Sequence, residues 1–224
     1  MQLEARALGH VRWLGGGSGA GKSTIARRLA ERYGLRLYAT DDVMREHAAR
    51  TTAADSPRLH EFMAMSMDER WVTRKPAAML DSFHWYAGEG FALMVEDLRA
   101  MPADRIVLAE GFRLLPSLVK PLLSGPRQAV WLLPTPEFRR SALQSRGGLW
   151  TIAGRTSDPP RALDNLLARD AMFTERLAAE TAALGLNAIE VSSRISADEL
   201  EARVAGALGL SRSVPPPGSG RGAA

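Results

Sequence analysis

The chain predicts an α/β domain, a five-stranded and mostly parallel sheet with helices on both faces. Three observations carry that prediction. Five short apolar runs, each about five residues long, recur along the chain as strands buried on both faces would. Longer segments with helical periodicity separate them. A glycine-rich turn joins the first run to the first helix, and such alternation places parallel strands between two helical layers.

The first strand is read at 10–14 and the first helix at 23–33. Ile25, Leu29 and Ala30 share its apolar face, and Gly34 stops it. The remaining strands are expected at 35–39, 105–109, 129–133 and 187–191. Further helices are expected at 82–99, 137–145 and 165–184, the last closed by Gly185. A final helix at 198–208 takes Ser196 as N-cap and Gly209 past its end. Residues 1–212 are read as one domain with an insert at about 46–103. The Pro-, Gly- and Ser-rich stretch 213–224 is read as a disordered tail.

The turn after the first strand is the most specific feature. Gly16, Gly17, Ser18, Gly19, Ala20, Gly21, Lys22, Ser23 and Thr24 fit G-x-x-x-x-G-K-[ST], with Gly16 and Gly21 as its fixed glycines. Glycines let successive backbone N–H groups converge on phosphate oxygens. Lys22 supplies a point charge for the β- and γ-phosphates. Ser23 offers a hydroxyl to Mg²⁺, and the following helix points its positive end at the same place. Strand, glycine loop and helix occur in the order that phosphate binding requires.

Composition narrows the rest. The chain of 224 residues has no cysteine, which excludes disulfides and thiolate zinc sites and fits a reducing cytoplasm. No apolar stretch is long enough to span a bilayer, and the N-terminal residues do not read as a signal peptide. Net charge is +4, yet the basic residues form no dense run. Only three of 29 are lysines, so the arginines read as scattered over solvated helix faces rather than as a nucleic-acid surface. The four histidines show no metal-ligand spacing.

Together, the phosphate loop, the run Ala39-Thr40-Asp41-Asp42-Val43-Met44-Arg45 and an arginine-bearing segment after the fourth strand resemble the P-loop kinases. That group includes shikimate, gluconate, chloramphenicol and polynucleotide 5′-hydroxyl kinases. The resemblance covers about residues 10–208 and implies the P-loop fold of the nucleoside- and shikimate-kinase type. It implies transfer of a γ-phosphoryl group from ATP, or GTP, with Mg²⁺, to a hydroxyl of a small metabolite or natural product. It also implies a lid at about 139–162. A Glu-Gly-x-x-Leu-x-Pro run at Glu110 is similar to one in 2-phosphoglycerate-kinase-like proteins.

Site residues follow from the resemblance and the chemistry. Phosphoryl transfer to an alcohol needs a carboxylate to orient the hydroxyl and take its proton. Asp41 is the first choice, and Asp42 the alternative or a partner of Mg²⁺ through water. Either aspartate could instead cap the next helix. Arg45 lies one turn on and is assigned to the substrate side. Glu110, at a strand end, is a candidate for a Mg²⁺-bound water or for the substrate, and Arg113 for an anionic substrate group. Arg146 and Arg155 are the lid arginines, Arg139 packs near the adenine, and Gly147-Gly148 gives hinge freedom. Arg169 is read as pairing with an acid across helix turns.

The insert holds Phe62, Met63, Met65, Met67, Trp71, Phe83, Trp85, Tyr86 and Phe91, read mainly as helical core. His84 and Glu89 are its polar exceptions, and His84 is assigned to substrate. Two other readings remain: a kinase of polynucleotide ends or tRNA, and a nucleotide-dependent switch without kinase activity. A monomer or homodimer in the cytoplasm is expected.

Overall fold

The computed structural model describes residues 8–146 and 148–211, with the side chains of 143–150 left aside. The sheet consists of β1 (Val11–Gly16), β2 (Arg36–Ala39), β3 (Val107–Glu110), β4 (Ala129–Pro134) and β5 (Asn187–Val191). Its order is β2-β3-β1-β4-β5, and every pairing is parallel. The glycine loop therefore leaves the middle strand, between the neighbours β3 and β4. This is where an open parallel sheet forms its crevice.

Period-two alternation divides the core. Trp13, Val107, Ala109 and Trp131 point to one face and join Met94, Leu98, Phe173 and Leu177. Leu14, Leu108, Val130 and Leu132 point to the other and meet Ile25, Leu29, Val204 and Leu208. Burial is complete along β3, whereas β5 is mostly exposed. The expectation of strands buried on both faces fails at this edge, where Asn187, Ala188 and Glu190 meet solvent.

The second face carries α1 (Lys22–Tyr33). After β2 the chain forms α2 (Met44–Arg50), α3 (Pro57–Ala64), α4 (Met67–Trp71) and α5 (Pro76–Ser82). The helix α6 (Phe91–Ala100) leads into β3. A single helix at 82–99 was expected, but the chain breaks between α5 and α6. Gly90 adopts φ 75, and a Cβ there would meet Trp85 and Arg113 at 2.9 and 3.0 Å, so neither backbone nor space admits a continuous helix.

Beyond β3 come α7 (Pro116–Val119), α8 (Pro136–Arg146), α9 (Gly148–Ala153), α10 (Pro159–Ala183) and α11 (Ala197–Ala207). The long helix starts six residues earlier than expected. The Asp158 side chain accepts from Arg161 N at 3.2 Å, and prolines occupy the first turn. Ser196 caps α11 as expected, accepting from Glu199 N. Arg28 and Arg32 of α1 clamp the buried Glu201 of α11 at 2.6 and 2.9 Å. The stretch 213–224 lies outside the described residues.

At the centre of the first face, Tyr86 stacks on Phe173 with ring centroids 3.7 Å apart and 6° between planes. This contact joins the segment before α6 to α10. Phe173→Ala is expected to lower the unfolding free energy by about 3–5 kcal/mol in urea melts.

Candidate active site

Three loops leave the carboxyl ends of β1, β2 and β3 side by side. In the first, Gly16 adopts φ 137, and a Cβ there would overlap the Leu132 backbone of β4. Glycine is thus required where the loop turns off the sheet. Lys22 opens α1, and its Nζ donates to Gly17 O at 2.8 Å, so the ammonium lies over its own loop. The helix has no side-chain cap at Gly21, which leaves its N-terminal dipole to the loop.

Carboxylates gather around that ammonium. Glu110 ends β3, is buried, and accepts a hydrogen bond from the Ser23 hydroxyl. Burial pushes its carboxyl above the ordinary range, against the pull of Lys22 and Ser23; Asp41 and Asp42 push it further up. Asp41 follows β2. Water reaches its carboxylate, but the concave wall around it raises its pKa, opposed chiefly by Lys22. The capping alternative fails for both aspartates, because Val43 occupies the N-cap of α2 and no side chain caps it.

Asp41, residues 18–23 of the glycine loop and His84 line one cavity of about 490 Å³. Phe62, Trp71, Phe83, Trp85, Tyr86 and Phe112 complete much of its wall. Most insert aromatics were expected to be plain core. Trp71 and Phe83 do pack in a core cluster, yet they also face this space. His84 is held neutral: burial lowers its pKa to about 3, helped by Arg113 and Arg70.

Other expected site residues lie elsewhere. Asp42 and Arg45 are exposed and do not line the cavity. Arg113 is turned into the core, 1% exposed. It donates to Thr40 O at 3.2 Å, to His47 Nδ1 at 3.1 Å and to Gly90 O at 3.3 Å, and lies 4.0 Å from the Trp85 ring centre. Burial lowers its pKa to about 10, so it stays charged at neutral pH. His47 passes the contact on to Asp97 at 2.7 Å, which also accepts from Tyr38 at 2.7 Å. Arg113 thus braces the Asp41 loop from behind.

Arg139 is buried against Thr174 at 2.7 Å, outside the main cavity. Arg155 is exposed. The Arg146 side chain and the backbone of Gly147 lie outside the described residues. Glu89 receives N–H bonds from Arg58 and Leu59 at 3.1 and 2.9 Å and so holds the start of α3. Arg169 pairs with the next residue, Asp170, at 2.7 Å rather than across a helix turn. Both line the cavity, as does Arg70. Neither Arg70 nor Asp170 was singled out in the sequence, and no local pattern distinguishes them there.

The AAA domain family matches residues 15–81. A shikimate kinase from Saccharopolyspora erythraea is 31% identical over 163 residues, covering 69% of this chain and 90% of that protein. The chain belongs to the P-loop small-molecule kinases. Nucleotide binding and phosphotransfer are the properties that this kinase membership supports. Two solved structures are similar in outline. Deoxyadenosine kinase from M. mycoides with bound dATP is 9% identical, with coverage of 89% of this chain and 98% of that one and a TM-score of 0.47. The tunicamycin resistance protein of Deinococcus radiodurans is 15% identical, with coverage of 92% and 98% and a TM-score of 0.45. Among the described residues, no helix of this P-loop kinase is long and apolar enough to cross a membrane.

The raised carboxyl of Glu110 has a consequence for stability. Its neutral form favours the fold, a contribution complete below the unfolded-state pKa and lost as pH rises through the folded one. Glu110→Gln is therefore expected to raise the melting temperature of the nucleotide-free protein at pH 7. The gain should shrink towards zero in acid, as read by calorimetry across pH.

Proposed function

We propose that this P-loop kinase transfers the γ-phosphoryl group of ATP, with Mg²⁺, to a hydroxyl of a small acceptor. The observation that supports it most is that Asp41 and the phosphate loop face one cavity. Transfer to an alcohol needs a base and a phosphate cradle directed at the same space.

In this reading the loop amides and Lys22 hold the β- and γ-phosphates. The acceptor oxygen bonds to the γ-phosphorus, and Asp41 takes its proton. The bond from the γ-phosphorus to the β–γ bridging oxygen breaks, and ADP leaves with that electron pair. Ser23 and Glu110 suit a hard cation: both offer oxygen, and the crowded carboxylates carry negative charge that Lys22 only partly offsets. Ser23 would hold Mg²⁺ directly and Glu110 or Asp42 through water. When bound, the ion neutralises charge on the phosphate oxygens.

The segment 139–162 is assigned as the lid, with Arg146 and Arg155 carried towards the transferring phosphate and Arg139 near the nucleotide base. Residues 1–212 act as one kinase domain, as a monomer or homodimer in the cytoplasm. A small acceptor is favoured over a nucleic-acid end. The cavity wall is aromatic, and many surface arginines are matched by acids, as in Arg50 with Glu96 and Arg176 with Glu180. Strong phosphate-tracking surfaces need basic side chains free to meet phosphates.

Acceptor-stimulated ADP release tests the reading. Lys22→Ala and Asp41→Ala should each lower kcat/KM by about 10²–10⁴-fold, with Asp41→Ala keeping nucleotide affinity. Full stimulated activity in Asp41→Ala would falsify the base assignment. The raised pKa of Asp41 sets the pH dependence. Its base form is lost as pH falls through that value, so the acid limb of kcat/KM should lie above the ordinary aspartate range.

A further inference from the structure

Away from Asp41 and the phosphate loop, much of the cavity wall is aromatic. Phe62 meets Trp71 edge-on at 5.5 Å and Phe83 at 5.4 Å. His84 lies 5.0 Å from Phe62 and 4.8 Å from Phe83. Leu59, Met44 and Ile152 fill the gaps between them.

Two cations stand among these rings, each only partly engaged: Arg169 Nη1 and Arg70 Nε are buried without a hydrogen-bond partner among the described residues. Arg169 donates through Nε and Nη2 to Asp170 Oδ1 at 3.0 and 2.7 Å. Its guanidinium also lies 4.8 Å from the Phe83 ring centre and 5.2 Å from that of Trp71. Arg70 lies 4.7 Å from the Phe62 ring centre and donates to Met63 O at 2.8 Å. Guanidinium groups held on aromatic faces are weakly hydrated and extend an apolar wall. A polyol would bury hydroxyls against carbon, and binding weakens about tenfold for each one left unpaired.

We infer that the acceptor is an alcohol carried on a flat, apolar ring system, an aryl or heteroaryl alcohol. The inference rests on the kinase reading above and names its substrate class. The ring packs among Phe62, Trp71 and Phe83, and the hydroxyl reaches Asp41. The cavity volume of about 490 Å³ is within the range of small-molecule sites and suits one or two fused rings beside the phosphates. Sugars and non-aromatic hydroxy acids, which lack a flat apolar face, are the classes this wall disfavours.

Two measurements test it. The first is calorimetric binding of 2-naphthalenemethanol, glucose and shikimate to the full-length protein. The naphthyl alcohol is expected to bind at least tenfold tighter than the other two. Phe83→Leu and Trp71→Ala should each weaken it by about tenfold, with ATP affinity unchanged as proof of folding. The second is ADP release with ATP and Mg²⁺, which the naphthyl alcohol is expected to stimulate. Stimulation by glucose or shikimate, but not by the aryl alcohol, overturns the inference and leaves the kinase reading standing. Aryl binding with no stimulation by any of the three overturns the kinase reading and the acceptor assignment with it. Equal binding of all three ligands overturns the inference directly.

Discussion

One ammonium group makes this site possible. Lys22 is the largest opposing influence on both Asp41 and Glu110, each raised by its protein surroundings. Without that charge, Asp41 and Glu110 would stand at the ends of neighbouring strands, with Asp42 close by, and with little compensation. Backbone contributes directly to the position of the ammonium. Gly16 passes against Leu132, the loop turns, and Lys22 begins the helix with its Nζ above Gly17 O. Sheet order does the rest, because β3 beside β1 brings Glu110 next to Ser23, and β2 beside β3 brings Asp41 within reach.

Behind this cluster lies a second layer of polar contacts. Arg113 links the carbonyl just before Asp41 to His47, Gly90 and the face of Trp85. One buried side chain therefore couples the carboxylate loop, the insert and an aromatic wall. Such a group acts through what it holds in place, since packing transmits small displacements without much loss.

Much of this was legible in the sequence, for identifiable reasons. The phosphate loop has a fixed spacing because its chemistry is backbone chemistry. The three central strands read clearly because burial on both faces demands continuous apolar residues. The start of α10 was also readable from Asp158 and Pro159, but apolar periodicity set in later and drew the boundary towards 165. The insert resisted because its helices are short and its break depends on Gly90 meeting Trp85 in space. Arginines resisted most. Arg113 and Arg169 look alike in sequence, yet one supports the Asp41 loop from the core and the other faces the cavity. Only tertiary contacts separate them.

Crowded carboxylates carry a further consequence, for the protein's lifetime. Any cation or metal–nucleotide complex that binds the folded form alone stabilises it by an amount set by its concentration and affinity. The proportion of unfolded chains exposed to proteases then follows the supply of that complex. Abundance would thereby follow the supply of that ligand.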